Sequence, residues 1–317
     1  MNQPQRIKGV LSPVITPFQE DLSPDPQRFI KQCQWLISQN VGLACFGTNS
    51  EANSLSINER MALLEALVGA GVDPARMMPG TGCCAFPDSV RLTEHAVKLG
   101  CAGVLMLPPF YYKGVSDDGL YRNFSEVIQR VGDARLRIYL YHIPPVSQVG
   151  ITLGLIERLL KEYPRSIAGV KDSSGDWSNT KAMLDAFAKS GFDVFAGSEA
   201  FLLANMRGGG AGCISATANV NPAAIARLHQ EWQNADADQQ QEALNAVRNT
   251  VQKYPMIPAL KHIAAHFSGD PGWATVRPPL IGLTQEQASG VIRDLEKIGF
   301  EMPGLKAQAA APTLVAV

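Results

Sequence analysis

The fold is decided by the stretch RIYLYHIPPVSQVGITLGLIERLLKEYPRSIAGVKD, residues 137–172. The apolar run RIYLYHI leads through the turn PPVSQVG into the helical pattern TLGLIERLLKEY, and a second apolar run, SIAGV, follows. Continuous apolar runs of this length are typical of strands buried on both faces, as in a parallel sheet. The stretch therefore predicts a strand–helix–strand unit, with Lys171 at the carboxyl end of the second strand.

The same alternation extends in both directions along the chain. Eight strand and helix repeats within about 220 residues indicate a (β/α)₈ barrel. A doubly wound sheet is the competing architecture, but no strand-to-helix turn contains GxGxxG. The sequence thus predicts an α/β protein with a (β/α)₈ TIM barrel. The eight runs are GVLSPVI (9–15), VGLACF (41–46), RMMPG (76–80), CAGVLML (101–107), RIYLYHI (137–143), SIAGV (166–170), DVFAG (193–197) and AGCIS (211–215).

The pattern changes after Asn221, where the strand-like runs stop and helical periodicity continues to about residue 300. We therefore predict three parts. Residues 1–221 form the barrel and hold the catalytic site, residues 222–305 form a C-terminal helical extension, and residues 306–317 form a tail.

The composition excludes several classes of protein. Of the 317 residues, 46% are apolar, which excludes a disordered chain. The 28 basic and 29 acidic side chains leave a net charge of -1, so no positive field is available to bind nucleic acid. Only 18% of the residues are charged, and such a thinly charged surface favours a homo-oligomer.

The amino terminus and the cysteines indicate the compartment. The opening residues, MNQPQRIKGVLSPVITPF, contain no apolar core of signal-peptide length, and no apolar run is long enough to cross a membrane. The six cysteines include no CxxC pair, so we expect small buried side chains in a reducing compartment. A cytoplasmic protein without membrane contacts is predicted.

Lys171 is the first candidate for chemistry, because barrel enzymes carry their active sites at the carboxyl ends of the strands. One interpretation is a lysine whose stem lies along the strand end while its amine reaches water. The other is an amine kept partly neutral by desolvation, which attacks a ketone and forms a Schiff base. The lysine alone leaves both interpretations open.

Three neighbouring positions favour the second interpretation. Tyr141 ends the strand before Lys171, and a phenol there can move the protons that imine formation requires. Thr48 supplies a hydroxyl that can link two phenols. The backbone amides of Thr48 and Asn49 form a candidate cradle for a small carboxylate.

Six pieces of sequence together resemble the dihydrodipicolinate synthase / N-acetylneuraminate lyase family of pyruvate-dependent class I aldolases. The resemblance implies a (β/α)₈ barrel with C-terminal helices, assembled as a homotetramer of tight dimers, that needs no metal and no organic cofactor. The pieces are SPVITPF (12–18), GTNSE (47–51), PPFYYKG (108–114), YHIP (141–144), GVKDSSGD (169–176) and AGSE (196–199) with GGGAGCISATANV (208–220).

The resemblance also implies catalytic roles. Lys171 is similar to the lysine that captures pyruvate as a Schiff base, and Tyr141 to the phenol that transfers protons beside the imine. Thr48 resembles the hydroxyl that links Tyr141 to a second tyrosine. Tyr112 is similar to that second tyrosine, which in the family enters the site from the neighbouring subunit.

The binding positions follow in the same way. Asn49 stands where the family usually has the threonine that binds the pyruvate carboxylate, and Ser50 replaces a glycine. Gly197 and Ile214 resemble the positions whose backbone lines the site near the lysine. Gln148 falls where the synthases of the family carry an arginine that binds the carboxylate of aspartate semialdehyde.

Gln148 therefore predicts a different second substrate. A neutral polar side chain cannot form the bidentate pair of a guanidinium with a carboxylate. We expect pyruvate to combine with the aldehyde of a 2-keto-3-deoxy sugar acid, a 4-hydroxy-2-oxo acid or a related compound. A genuine 4-hydroxy-tetrahydrodipicolinate synthase is the first alternative, and a non-catalytic barrel that binds keto acids is the second. A metal-dependent aldolase would need a cluster of His, Asp or Glu ligands that the strand ends lack.

Overall fold

The structure, a computed structural model, describes residues 6–306. The predicted tail at residues 306–317 therefore lies, except for Lys306, outside the described residues. Seven strands occur in the described part: β1 (Gly9–Ser12), β2 (Gly42–Leu43), β3 (Val104–Met106), β4 (Ile138–His142), β5 (Ile167–Asp172), β6 (Asp193–Ala196) and β7 (Gly212–Ile214).

Helices connect the strands and continue after the last one. The α-helices of the described part are α1 (Pro26–Ser38), α2 (Ile57–Gly69), α3 (Phe86–Lys98), α4 (Asp117–Val131), α5 (Pro144–Ser147), α6 (Leu153–Glu162), α7 (Trp177–Phe187), α8 (Leu202–Arg207), α9 (Pro222–Glu231), α10 (Ala237–Val251), α11 (Met256–Ser268) and α12 (Gln285–Glu296). Short 3₁₀ turns lie at Thr48–Ser50, Ala52–Ser54, Pro74–Arg76, Ala188–Ser190, Glu199–Phe201, Ala216–Asn219 and Pro271–Ala274.

The strand order identifies a barrel fold. The order is β2-β1-β7-β6-β5-β4-β3, in which strands β3 to β7 are neighbours in the order of the chain. The amide of Gly9 donates to the carbonyl of Ala211 at 2.8 Å, at the edge where β1 meets β7. A doubly wound sheet would instead reverse its order in the middle. The predicted (β/α)₈ class with a C-terminal helical extension is therefore confirmed.

The third predicted strand, RMMPG, is wrong. The structure contains isolated bridge residues there, at Met77 and at Gly80, and Gly80 pairs with Leu105. The amide of Leu105 donates to the carbonyl of Pro79, and the amide of Thr81 donates to the carbonyl of Leu105, both at 2.9 Å. Pro79 has no N–H to donate in return, so the pairing cannot extend toward the amino terminus.

Contacts between Cα atoms divide the described chain into two compact units. The first comprises residues 6–9 and 74–214, and the second comprises residues 10–73 and 215–306. The first unit contains β3 to β7 with helices α3 to α8, and all recorded strand pairs within it are parallel. It holds Lys171 and most of the predicted site residues.

The second unit contains β2, most of β1 and the C-terminal helices. Leu11 of β1 lies opposite Gly42 of β2 in a parallel pair. The buried amide of Asn219 ties the loop after β1 in place: its Oδ1 accepts from the amide of Ile15 at 2.9 Å, and its Nδ2 donates to the carbonyl of Pro13 at 3.0 Å. This unit thus fixes the loops that follow β1 and β2. The predicted boundary at residue 221 stays a prediction.

Candidate active site

Lys171 lies in the interior of the first unit, one residue before the end of β5. Its Cα pairs with Tyr141 of β4 on one side and with Phe195 of β6 on the other. The residue is 2% exposed, and Nζ lies 4.2 Å from the centroid of the Tyr141 ring. The stem therefore does not carry the amine out to water. The structure brings the two principal catalytic candidates together on neighbouring strands.

A second aromatic ring fills the level below this pair. Tyr139, two residues before Tyr141, lies opposite Gly169 of β5, and its ring packs edge-on against Phe195 with centroids 5.7 Å apart. A Cβ atom at Gly169 would lie 2.8 Å from Cδ1 of Tyr139 and 2.3 Å from the carbonyl oxygen of Asp193. Glycine is thus required at this position for the ring to fit. The buried Tyr139 ring thus lies one level below Lys171 on the same face of the strands and forms an aromatic floor there.

The floor has one polar edge. The hydroxyl of Tyr139 donates to Oδ2 of Asp193 at 3.3 Å, and Arg6 lies 3.5 Å from the same carboxylate. Burial raises the pKa of Tyr139 well above that of a free phenol, and it also raises the pKa of Asp193. Both groups therefore stay in place as a hydrogen-bonded pair. Tyr139 is not among the predicted site residues, although its period-two spacing from Tyr141 predicts the same face of the strand.

The backbone beside Lys171 is fixed by Asp172, which points to the opposite face of β5. Its Oδ2 accepts from Oγ1 of Thr180 at 2.6 Å, and its Oδ1 accepts from the amide of Ser174 at 2.9 Å. The amide of Gly197 donates to the carbonyl of Asp172 at 2.7 Å. These bonds hold the carboxyl ends of β5 and β6 in a fixed register.

Gly197 and Ile214 occupy the strand ends predicted for them. A Cβ atom at Gly197 would lie 2.1 Å from Oγ of Ser173, so the loop after β5 crosses directly over this glycine. Ile214 is the last residue of β7 and is fully buried. Both positions belong to the same unit as Lys171.

The loop after Tyr141 carries Gln148 on its outer surface. Gln148 follows the short helix α5 with a left-handed φ of 54°, and its side chain is exposed. Oγ of Ser147 donates to the carbonyls of Ile143 and Val149, at 3.0 and 2.9 Å. The amide of Ile151 donates to Nδ1 of the buried His142 at 2.9 Å. Both ends of the loop are therefore anchored, while Gln148 is left at the surface.

The side chain of Tyr112 is exposed in the single chain. It is 74% exposed, as is Tyr111, and the two rings pack edge-on with centroids 5.4 Å apart. Lys113, the next residue, donates to the carbonyls of Phe110 and Ser147, the latter at 2.8 Å. Lys113 thus connects the tyrosine loop to the Gln148 loop. The entry of Tyr112 into a neighbouring subunit stays a prediction.

Thr48 and Asn49 lie in the second unit, on the 3₁₀ turn Thr48–Ser50. Both are half-buried, and Ser50 behind them is fully buried, with its carbonyl accepting from Oγ1 of Thr16 at 2.7 Å. The left-handed residue is Glu51, with a φ of 55°, so the serine that replaces the family's glycine is not strained. The proposed link between Thr48 and Tyr141 stays a prediction.

The cysteine prediction is only partly correct. All six side chains are free thiols; Cys33, Cys45 and Cys213 are buried, but Cys84 is exposed. Cys84 follows a turn rather than a strand, because the third apolar run does not continue as a strand. No helix within residues 6–306 combines the length and apolar character needed to cross a membrane. In that same range, no three His, Cys, Asp or Glu side chains are grouped so as to hold a metal ion.

Comparisons with known proteins agree with the geometry. The sequence model of the dihydrodipicolinate synthetase family matches residues 6–298. A DapA-like lyase of Chloroflexus aurantiacus is 31% identical over 294 residues, which are 92% of this chain and 97% of the relative.

Two solved structures are similar over nearly the whole chain. The crystal structure of dihydrodipicolinate synthase from Agrobacterium tumefaciens has a TM-score of 0.84 and 30% identity, over 92% of this chain and 99% of that one. A prophage protein of E. coli K12 from the dihydrodipicolinic acid synthase family, solved with pyruvate, has a TM-score of 0.83 and 25% identity over 93% and 99%.

Proposed function

Because the chain belongs to the dihydrodipicolinate synthetase family, we propose that it makes or cleaves a carbon–carbon bond through a Schiff base between Lys171 and pyruvate. The chain is a lyase of the pyruvate-dependent class I aldolase type. The observation that carries the proposal is the burial of Lys171 at the end of β5 with Nζ beside the Tyr141 ring. A buried primary amine next to a phenol is suited to imine chemistry.

The covalent steps start at the amine. The neutral Nζ of Lys171 attacks C2 of pyruvate, and the carbonyl oxygen takes up a proton to give a carbinolamine. The hydroxyl leaves with a second proton as water, so the imine forms without an oxidant or a reductant. The imine nitrogen is protonated, so loss of a proton from C3 gives a neutral enamine. Its C3 attacks the aldehyde carbon and forms the new bond, and the alkoxide that results takes up a proton. Hydrolysis of the product imine restores the free lysine.

Tyr141 is the proposed carrier of these protons. Its ring contacts Nζ of Lys171, and the two residues lie opposite each other on the neighbouring strands β4 and β5. A phenol in this position protonates the departing hydroxyl of the carbinolamine and the alkoxide formed from the aldehyde. We propose that Thr48 links Tyr141 to Tyr112 of a neighbouring subunit in a homo-oligomer, a dimer or tetramer.

The carboxylate of pyruvate is assigned to the Gly47–Glu51 turn. The amides of Thr48 and Asn49 face an anion in such a turn, and the side-chain amide of Asn49 supplies a further donor. Gly197 and Ile214 are proposed to line the pocket with backbone only. No metal and no organic cofactor enter these steps, since the protonated imine formed on Lys171 itself serves as the electron sink. The proposed location of the enzyme is the cytoplasm.

Gln148 supports the choice of second substrate. Its side chain is neutral and exposed, on a loop anchored by Ser147 and His142. Hydrogen bonds to a charged group contribute about 1.5–3 kcal/mol each, so the missing arginine would lower the efficiency with aspartate semialdehyde about ten- to a hundredfold. A hydroxylated aldehyde from a 2-keto-3-deoxy sugar acid or a 4-hydroxy-2-oxo acid fits a neutral loop better.

Two alternatives remain distinguishable. The similarity to the Agrobacterium synthase favours 4-hydroxy-tetrahydrodipicolinate synthesis, and it would require another residue to bind the carboxylate of aspartate semialdehyde. A barrel that only binds keto acids would have no use for Lys171 beside Tyr141. The proposed enzyme therefore differs from both in a measurable way.

The test compares catalytic efficiency across substrates. Cleavage of 2-keto-3-deoxy sugar acids, 4-hydroxy-2-oxoglutarate and N-acetylneuraminate is measured against condensation of pyruvate with aspartate semialdehyde. We expect a cleavage substrate to have the highest kcat/KM, and Lys171→Arg to abolish turnover of all of them while Lys161→Arg, on the exposed end of α6, retains it. A wide preference for aspartate semialdehyde would contradict the reading of Gln148. Turnover in Lys171→Arg would contradict the mechanism.

A further inference from the structure

The second unit contains a fully buried ion pair between Glu51 and Lys261. Both side chains are 0% exposed, and the ammonium of Lys261 contacts the Glu51 carboxylate directly. The same Nζ donates to the carbonyl of Thr275 at 2.7 Å and lies 4.3 Å from the centroid of the Phe18 ring. Burial lowers the pKa of Lys261 to about 8, so the ammonium is still the main form at pH 7.

Arg277 holds the same carboxylate from another side. Its backbone amide donates to Oε2 of Glu51 at 3.0 Å. Its guanidinium pairs with both oxygens of Glu59 at 2.8 and 3.1 Å and donates to the carbonyl of Ser54 at 2.7 Å. The guanidinium carbon lies 4.6 Å from the centroid of Phe18, whose ring therefore contacts both cations. Glu51 is held by two segments that lie more than 200 residues further along the chain.

Stability alone is a weak reason to keep such a pair. Removing two charges from water costs nearly as much as their attraction returns, and apolar replacements of similar volume are often neutral or stabilising. If this ion pair has a role other than stability, that role should be exerted on the structure next to it. The nearest functional element in the same unit is the turn that ends at Glu51 itself.

Glu51 determines the backbone of that turn. Its φ of 55° is left-handed, which is uncommon for a residue with a side chain and persists only where the surroundings hold it. Its amide donates to the carbonyl of Thr48 at 3.1 Å, and the amide of Ser50 donates to the carbonyl of Gly47 at 3.1 Å. Glu51 therefore closes the turn that carries Thr48 and Asn49, and the contacts that hold Glu51 also hold this turn in place.

We propose that Glu51, Lys261 and Arg277, named here the Glu51 cluster, position the Gly47–Glu51 turn for the pyruvate carboxylate. This inference rests on the proposed function, because the cluster acts on pyruvate through the amides of Thr48 and Asn49. The cluster touches neither the substrate nor Lys171 in this role. Loss of its charges should weaken the binding of pyruvate while leaving the chemistry at Lys171 intact.

The experiment measures how much pyruvate is needed to label Lys171. Protein is incubated with increasing pyruvate, reduced with borohydride, and the labelled fraction is read by intact mass. The variants are Glu51→Gln and the double variant Glu51→Gln/Lys261→Met, which leaves no unpaired charge and is therefore expected to fold even if the single variant does not. Ile263→Val is the control, because it removes one methyl group from the buried face of the same helix and leaves every charge of the cluster in place.

We expect the half-saturating pyruvate concentration to rise about tenfold or more, as when a hydrogen bond to a charged carboxylate is lost. Labelling at saturating pyruvate should stay complete, and Ile263→Val should melt at a lower temperature with unchanged half-saturation. A half-saturating concentration within about twofold of that of wild type, in a folded double variant, would overturn the positioning role and leave the proposed function standing. Absence of label in wild type would overturn the proposed function, and the inference with it.

Discussion

The surroundings of Lys171 depend on glycines at two positions one level below it. A Cβ atom at Gly169 would meet the Tyr139 ring at 2.8 Å, and one at Gly103 would meet it at 2.7 Å. With no side chain at either position, the buried Tyr139 ring fits below Lys171. The glycine in SIAGV is therefore as much a part of the site as the lysine that follows it.

At the residue scale, the first prediction concerns Tyr141. Tyr141→Phe keeps the ring that packs against Lys171 and removes only the hydroxyl. We expect kcat to fall about 10²- to 10⁴-fold, the range that general acid–base catalysis supplies. Steady-state kinetics with the best cleavage substrate measures this effect. Tyr139→Phe is the control, because it removes a hydroxyl bound to Asp193 at the level below, and it should change stability more than kcat. Near-normal turnover in Tyr141→Phe would place the proton transfer elsewhere.

At the scale of elements, apolar runs and period two were sufficient to predict the strands that hold Lys171 and Tyr141. The strand predicted from RMMPG was wrong because Pro79 has no N–H to donate to a neighbouring strand. The apolar character of the run does not show this. The Glu51 cluster could not be predicted, since Lys261 follows Glu51 by 210 residues and pairing over such a distance leaves no periodic signal. One cue did exist: Lys261 stands inside the apolar segment PALKHIAA, where a solvated lysine is out of place.

The last residue of β4, just before the loop that carries Gln148, is the buried His142. The buried Nδ1 of His142 accepts from the amide of Ile151 at 2.9 Å, which it can do only while that nitrogen is unprotonated. Burial lowers the pKa of His142 below that of an exposed histidine, although Asp172 opposes the shift. The native state thus prefers the neutral ring. The unfolded chain binds a proton more readily below about pH 6.5.

The second prediction is therefore a loss of stability on acidification. The contribution of neutral His142 is fully present above about pH 6.5 and is lost as the pH falls, by at most about 1.4 kcal/mol per pH unit. We expect the Tm of wild type to fall more between pH 7.5 and 5.5 than that of His142→Gln, which does not titrate. The pKa of His229 and that of His262 are also lowered by burial, so both proteins share that background. Parallel Tm curves would contradict the assignment.

At the scale of the whole molecule, the exposed tyrosines indicate a surface that binds another protein chain. Tyr111 and Tyr112 are each 74% exposed, and Val115 and Val146 are exposed as well. Large aromatic side chains grouped at a surface are typical of protein interfaces. If Tyr112 completes the site of a neighbouring subunit, a single chain holds Lys171 and Tyr141 but lacks its second phenol.

The third prediction tests this arrangement by mixing subunits. Lys171→Arg and Tyr112→Phe should each be nearly inactive alone. After they are unfolded and refolded together in equal amounts, half of the dimers are mixed and one of their two sites is complete, so activity should return to about a quarter of wild type. Lys171→Arg refolded with Tyr141→Phe is the control. Lys171 and Tyr141 of one site come from the same chain, so each site of a mixed dimer still lacks one of them and no activity should return. Recovery no greater than the control would show that Tyr112 acts within its own chain or not at all.

The central claim is that Lys171 captures pyruvate covalently, and borohydride trapping with peptide mapping tests it most directly. Wild type treated with pyruvate and borohydride should gain one reduced pyruvate per chain, and the modified peptide should contain Lys171. Lys171→Arg should gain none, since a guanidinium remains protonated and does not attack. An unmodified wild-type protein, or an adduct that maps to other lysines and persists in Lys171→Arg, would contradict the account.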